Sequence, residues 1–425
     1  MSGFKTRLLC VCFNVLLLSR AFAADSVPSN SAALSGELSL SQAIAAALKR
    51  NPELAVTSFE LNAADARVLQ AGVRPNPEAA VQLDNVFGTG EARGVKVLET
   101  TLSLGQVIEL GGKRNSRVGV AGLSRDLVGV EREAQQLDVL ADVTRRFIEV
   151  VAAQRVIALA QQATRLTEQT LAAITTRVQA ARSPLAEQSR ATIAVTRARI
   201  EQQQAASTLQ AARRALAALW GDRVAEFSNA SADLFALPTV QTYEALSASL
   251  QLSPDFLRFA TEARLRDAEL RLAQAYAKPN LNVALGIRRF EATGNTALVA
   301  GVTYALPIYD RNQGTIREAQ VRREQNAVRS QATLIRAEAT LYGLYQELQA
   351  ARNRLETLRG EAIPQAEVAL AQTRNGYERG RFSYLELLSA QQELLGLESA
   401  AIQAAANYHL QLTEIERLTA EPLAN

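Results

Sequence analysis

Few residues in this chain could do chemistry. Its 425 residues include one histidine, two cysteines and one methionine. Cys10 and Cys12 lie in an apolar N-terminal stretch, and the methionine is Met1. Beyond that stretch the chain has no thiol nucleophile and no soft metal ligand. His409 falls seven residues after Ile402, itself seven after Leu395, on the apolar seam of a helix. There packing is expected rather than ligation. Gly111-Gly112-Lys113 invites a phosphate-loop reading, but Val107 stands where the first glycine is required and Arg114 where Ser or Thr is required. The match fails, and the glycines suit a strand-to-helix turn. Arg197, Arg199, Arg213 and Arg214 alternate with Glu and Gln, the pattern of a solvated helix face. No catalytic residue, metal site or cofactor is expected, and the chain does not read as an enzyme.

One acid stands apart. Glu386 follows YERGRFSY, a glycine-containing reversal between two long helical runs. If several copies converge there, a ring of carboxylates would attract cations and repel itself when unscreened. The alternative is an ordinary exposed helix glutamate.

The element before the first reversal is unusual. From Gly112 to Ala181 the chain runs about seventy residues without proline, rich in helix formers, which at about 1.5 Å per residue reaches on the order of 100 Å. Val130, Leu137, Leu140, Phe147 and Val151 recur at helical steps with charges between them, predicting coiled-coil packing along its length. The pattern then repeats. QAGVRPNPEAAVQL from Gln70 matches QAYAKPNLNVAL from Gln274, GQVIELGGKR matches ALPIYDRNQG, and Ser183 aligns with Ser383 at a spacing of 200. A tandem duplication of helix, hairpin, long helix and return helix is predicted. Reversals are placed at AARSP and at YERGRFSY, with return helices over Leu185–Leu219 and Leu385–Leu418. Pro52 and Pro254 should break the opening helices, and Pro364 should kink the second long helix.

Between Pro75 and Gly111 the apolar period falls from helical to two. Ala79, Val81 and Leu83 alternate with Ala80, Gln82 and Asp84, and Leu98, Thr100, Leu102 and Leu104 alternate with Glu99, Thr101 and Ser103. Leu281, Val283, Leu285 and Ile287 lie opposite Asn282, Gly286 and Arg288, followed by a second strand ending near Leu306. Each pair predicts a hairpin of strands about ten residues long, enough to cross a membrane when tilted. Four strands cannot close a barrel with a lumen, so membrane hairpins must be pooled by several chains. The alternative is a soluble cap on a helical bundle.

Residues 1–23 read as a secretory signal: Lys5 and Arg7, an apolar Leu8–Leu18, and Ala21-Phe22-Ala23 at the cleavage site. The whole chain has 46 basic and 43 acidic residues, and the segment removes Lys5, Arg7 and Arg20 with no acid, leaving 43 against 43. No basic field then points to nucleic acid. Export without disulfides or a spanning helix leaves the periplasm or a membrane β-barrel. Residues 24–38 read as a polar leader, extended or mobile.

On QVIELGGKR from Gln106, ALPIYDRNQG from Ala305 and GYERGRFSYLELLSAQQEL from Gly376, the chain resembles the outer membrane efflux protein family typified by TolC. Within it, it is most similar to the CzcC-type outer membrane components of heavy-metal cation efflux systems. The resemblance implies a mainly α protein with membrane β: long antiparallel helices in a tunnel, and two hairpins giving four strands to a trimeric twelve-stranded barrel. It implies a signal peptide at 1–23 and a first repeat over 24–221 with a hairpin about 76–108. A second repeat over 222–425 would hold an equatorial segment about 222–241, a hairpin about 280–308 and helices to about 420. The implied partners are two more copies, outer membrane lipid, a periplasmic adaptor and an inner-membrane RND pump. Glu386 would ring the periplasmic entrance, with Ser389 where a second acid is expected. Ala180, Ala181, Arg182 and Ser183, with Gly380, Arg381, Phe382 and Ser383, would form the adaptor-docking turns. The expected function is an exit duct for divalent cations such as cobalt, zinc, cadmium and nickel. A duct for drugs or other organic solutes is the nearest alternative, and a periplasmic scaffold without a pore is a distant one.

Overall fold

The computed structural model describes residues 36–421. The signal segment therefore lies outside the described residues, as does most of the polar leader. In chain order the elements begin with β1 (Gly36–Leu38), α1 (Leu40–Arg50), α2 (Pro52–Ala71), β2 (Glu78–Asp84) and β3 (Glu99–Ile108). The first half closes with α3 (Lys113–Gln179) and α4 (Leu185–Ala218). After β4 (Phe227–Ala230) the pattern recurs as α5 (Tyr243–Leu250), α6 (Pro254–Tyr276), β5 (Leu281–Phe290) and β6 (Thr296–Tyr304). It ends with α7 (Gln313–Thr357), α8 (Ile363–Glu378) and α9 (Tyr384–Thr419).

The helix breaks have local causes. Asn51 ends α1 and opens α2, its side chain accepting from the amides of Glu53 and Leu54, with Pro52 in the first helical position. Before Pro364, residues Leu358–Ala362 widen into a π turn. Proline lacks an amide proton and its ring crowds the carbonyl of the preceding turn, and the wider turn absorbs that conflict without ending the helix. The bend predicted at Pro364 thus takes the form of a π turn.

Helix α3 is the common wall. It packs against α2, α4, α6 and α9, while α7 packs against α6 and α9. One buried core joins Leu246 and Leu250 of α5, Leu341 and Leu348 of α7, and Tyr408, Leu412 and Ile415 of α9. A second joins Ile174, Ala191, Tyr377, Tyr384 and Leu387 where the long helices reverse. Arg417 bridges the bundle through ion pairs to Asp138 of α3 and Asp255 of α6.

The stretch around the two short strands differs from expectation. β1 pairs in parallel with β4, about 190 residues away, so the end of the leader is a strand. Gln154 of α3 clamps β4 through both its amide atoms, which meet the carbonyl and amide of Ala230 at 3.0 and 2.8 Å. Phe227 is buried, and Phe235 lies against the guanidinium groups of Arg155 and Arg359. Arg214 is exposed, as read from sequence, and Arg213 is partly covered; both also donate to backbone carbonyls, of Arg223 and Ser228 respectively. His409 packs as predicted, donating from Nε2 to the Leu234 carbonyl at 3.0 Å.

Candidate functional site

Two places lie at opposite ends of α3, whose 67 residues span about 100 Å. At its start, β2, β3, β5 and β6 form one antiparallel sheet in that order. The two hairpins join through ten residue pairs between β3 and β5, from Glu99↔Phe290 to Ile108↔Leu281. β3, β5 and β6 have the predicted length. β2 has seven residues, bounded by Pro75 and Pro77 before it and by left-handed Asn85 after it.

Register turns the sequence alternation into continuous rows. Val81, Leu102, Ile287 and Leu298 are successive partners across all four strands. They are 66%, 60%, 59% and 79% exposed. Leu104 and Leu285 continue this face in the next row and are also exposed. An unbroken band of leucine-type side chains is costly in water, at about 25 cal/mol per Å² of apolar surface. The opposite face is polar or small. There Arg288 donates to Glu99 at 2.8 Å and to Thr101 at 2.9 Å, with Asp84 at 3.6 Å. Gly286 permits close strand contact, since a Cβ would lie 2.6 Å from the Leu102 carbonyl oxygen and 2.8 Å from Ser103. β2 and β6 are edge strands among the described residues, so each leaves one row of backbone groups unpaired.

The turn into α3 answers the phosphate-loop question. Gly111 and Gly112 both take positive φ, and Lys113 is buried, bonded to Asn280 and 5.7 Å from the Tyr276 ring. Its ammonium is a structural tie between the halves. Nearby, the hydrogen bond from Arg117 holds the Glu109 carboxyl below its usual range.

At the far end of α3 the two reversals sit side by side. Each closes its helix with the same backbone motif: the Arg182 amide donates to the Arg177 carbonyl and the Arg381 amide to the Gly376 carbonyl, both at 2.8 Å. The left-handed residues are Ala181, φ 55°, and Gly380, φ 74°. The reversals therefore correspond at a spacing of 199 residues, and the Ser183–Ser383 alignment predicted from sequence is displaced by one. Gly380 matches Ala181, Ser383 matches Pro184, and Glu386 matches Glu187. Sequence reasoning missed that second glutamate because it fixed the register on a serine.

Glu386 is exposed, and its carboxylate turns back on its own helix start. It accepts from the Ser383 amide at 2.6 Å and the Ser383 hydroxyl at 2.8 Å. The Ser383 oxygen in turn caps the Glu386 amide. This reciprocal box was legible in Ser383-Tyr384-Leu385-Glu386. The backbone hydrogen bond, then the hydroxyl, lower the Glu386 pKa from its ordinary value. Ser389 is exposed one turn further on.

Between the reversals lies Arg177. It donates to the carbonyl oxygens of Tyr377 at 2.9 Å and Glu378 at 3.3 Å, and to the Ser183 hydroxyl at 3.2 Å. Its guanidinium sits 4.7 Å from the centre of the Tyr377 ring. The Tyr377 hydroxyl lies 3.4 Å from Glu187, and burial raises the pKa of both Tyr377 and Tyr384. Phe382, half exposed, lies over Gly376, where a Cβ would come within 2.0 Å of its ring. Ala180, Ala181, Arg182, Gly380 and Arg381 are exposed on the turns, with Ser183 partly covered by Arg177. Among the described residues no cluster of three or more His, Cys, Asp or Glu could hold a metal ion, and no helix is long and apolar enough to cross a membrane.

The sequence matches the model of the family described as Outer membrane efflux protein over residues 43–222 and 245–421. It is 29% identical over 383 residues to the cobalt-zinc-cadmium resistance protein CzcC of Cupriavidus metallidurans, covering 90% of each chain. It is 24% identical to the nickel-cobalt-cadmium resistance protein NccC of Alcaligenes xylosoxydans xylosoxydans, covering 76% of this chain and 67% of that one. The fold superposes on the outer membrane protein VceC of Vibrio cholerae with a TM-score of 0.74 at 22% identity, covering 89% of this chain and 96% of that one. It superposes on CusC with a TM-score of 0.74 at 16% identity, covering 89% and 91%.

Proposed function

We infer the function from one premise: the chain belongs to the outer membrane efflux protein family. It is an outer membrane channel, the exit duct of an efflux pump, and its cargo is divalent heavy-metal cations. The metal assignment draws on relatives named for cobalt, zinc, cadmium and nickel resistance. The duct performs no chemistry, and the energy comes from its pump.

One observation carries the channel reading: a four-stranded sheet with an exposed apolar row on one face, an ionic polar face, and two unpaired edges. An open edge cannot rest in lipid, because each unpaired backbone group there costs several kcal/mol, roughly. Closure by three copies gives twelve strands, with the apolar rows toward lipid and Arg288 toward the lumen. The helices then continue the lumen across the periplasm, toward an adaptor and an inner-membrane pump. The turns at Ala180–Ser183 and Gly380–Ser383 would meet the adaptor. Glu386 and Ser389 lie at the entrance in this reading, and the matching Glu187 doubles the glutamates there.

Planar-bilayer recording tests the pore: the purified protein should give discrete conductance steps, and a silent protein would be a scaffold. Deleting the gene tests the cargo. Lost tolerance to cobalt, zinc, cadmium or nickel is expected. Retained metal tolerance with lost dye or drug tolerance would move the cargo to organic solutes.

A further inference from the structure

The polar face of the sheet carries an unequal charge, and its one base is placed to offset it; this step rests on the duct reading above. By register, the charged residues of the four strands on that face are Glu78, Asp84, Glu99 and Arg288. Three acids against one base leave a balance of −2 per chain, and −6 in a barrel of three copies. The opposite face adds nothing, because its one charge, Arg289, pairs with Glu291 at 2.9 Å. Arg288 engages three strands with the three nitrogens of its guanidinium. Nε donates to the Thr101 hydroxyl at 2.9 Å and Nη1 to Glu99 at 2.8 Å, while Nη2 lies 3.6 Å from Asp84. The side chains of Arg288, Glu99 and Asp84 are all partly exposed, so this ionic group faces whatever fills that side of the sheet. Glu78 is exposed, and among the described residues it makes no ion pair.

We propose that Arg288 sets the charge selectivity of the barrel lumen: by offsetting Glu99 and Asp84 it holds the lumen to a moderate preference for cations. Twelve strands about 4.8 Å apart and tilted about 40° give a backbone radius of about 12 Å. Side chains projecting inward then stand within about a Debye length of the axis, about 8 Å at physiological salt, and a passing ion feels their charge. Conduction needs attraction strong enough for entry and weak enough for release. Unopposed carboxylates in so narrow a lumen would retain a divalent cation, and one guanidinium set among them weakens that hold without reversing its sign.

The test is the reversal potential of the full-length protein in planar bilayers under a potassium chloride gradient. The parent protein should favour potassium over chloride. Arg288→Gln removes one positive charge per chain and should raise the cation-to-anion permeability ratio about threefold, the order expected of three screened unit charges. Arg288→Lys keeps the charge but loses the planar fork, so its ratio should stay at the parent's value even where fewer pores assemble. Glu78→Gln breaks no ion pair and should lower the ratio. A parent that favours chloride overturns the proposal, as does a ratio unmoved in assembled Arg288→Gln pores. Where Arg288→Gln yields no pores, a ratio unmoved by Glu78→Gln overturns it. An Arg288→Lys pore that shifts as far as Arg288→Gln also overturns it, and leaves Arg288 as a tie between strands. A parent protein with no conductance would instead defeat the duct reading, so the two failures are distinguishable.

Discussion

Arg177 and Tyr377 sit exactly two hundred positions apart in the chain, yet the guanidinium of one lies 4.7 Å from the ring of the other and donates to its carbonyl at 2.9 Å. The end of the first long helix is thereby fastened to the end of the second. Replacing Arg177 with Ala removes the ring contact and three donated bonds, at a cost of about 1–3 kcal/mol confined to the reversals. Hydrogen exchange should quicken in residues 174–187 and 374–388 and stay unchanged in the sheet. Arg177→Lys keeps the charge but loses the planar fork, so it should give an intermediate result.

The cap at Ser383 makes a separate and pH-dependent contribution. Ser383→Ala should destabilise the start of α9 by about 1 kcal/mol, the usual cost of a lost cap. The Glu386 pKa is depressed in the folded chain. Its contribution is therefore complete above the ordinary value of 4.5 and is lost as pH falls through the folded value. Glu386→Gln retains a hydrogen-bonding side chain in the box but cannot titrate. Protection factors at the α9 start, taken relative to the intrinsic exchange rate at each pH, should fall on acidification in the parent protein and stay flat in Glu386→Gln.

Much of this fold was legible because its signals are local and periodic. α3 announces itself by seventy residues of helix formers, and the hairpins by a switch to period two. What stayed hidden depends on groups far apart in sequence. β1 is three residues long and owes its existence to β4. The role of Arg177 needs the second reversal beside it, and nothing in its own neighbourhood marks it. The offset between the halves slips from 200 at Gly112 and Asn312 to 199 at the reversals, so a shared serine misled where backbone φ decides. The engaged state of Glu386 was readable in the four-residue cap, but attention to its charge obscured it.

The two sheet faces should respond oppositely to charge. Leu102 is central in the apolar row, with Val81 and Ile287 as register partners. Leu102→Arg should cost about 2–4 kcal/mol in a bilayer. Gln82→Arg, one strand over on the polar face, should be tolerated. The measurement is the denaturant midpoint for refolding into lipid vesicles, together with the yield of assembled protein in the outer membrane. Equal tolerance at both positions would mean that the row does not face lipid.

Gly376 tests the packing of the second reversal. A Cβ there would sit 2.0 Å from the Phe382 ring, and it also crowds a turn whose carbonyl holds the Arg381 amide. Gly376→Ala must displace Phe382, which is already half exposed. The expected loss is about 1–3 kcal/mol, typical of overpacking, and it should be recovered in large part by adding Phe382→Ala. Denaturant melts of the single and double variants measure that coupling, and additive losses would mean the ring does not rest on the glycine.

His409 gives a second pH window, distinct from that of Glu386. Burial between α9 and the Leu234 segment lowers its pKa below the ordinary 6.5, although the hydrogen bond to the Leu234 carbonyl and the charge of Asp233 act the other way. In the unfolded chain the ring takes up a proton near pH 6.5, while in the folded chain it stays neutral to lower pH. The unfolded state thus binds more protons in that interval, and stability must fall as pH drops from about 7 to about 5. His409→Gln keeps an N–H donor within reach of Leu234 and removes the titration. Its apparent melting temperature should be less sensitive to pH across that interval than the parent's, while below pH 4.5, where the carboxylates titrate, the two should again change in parallel.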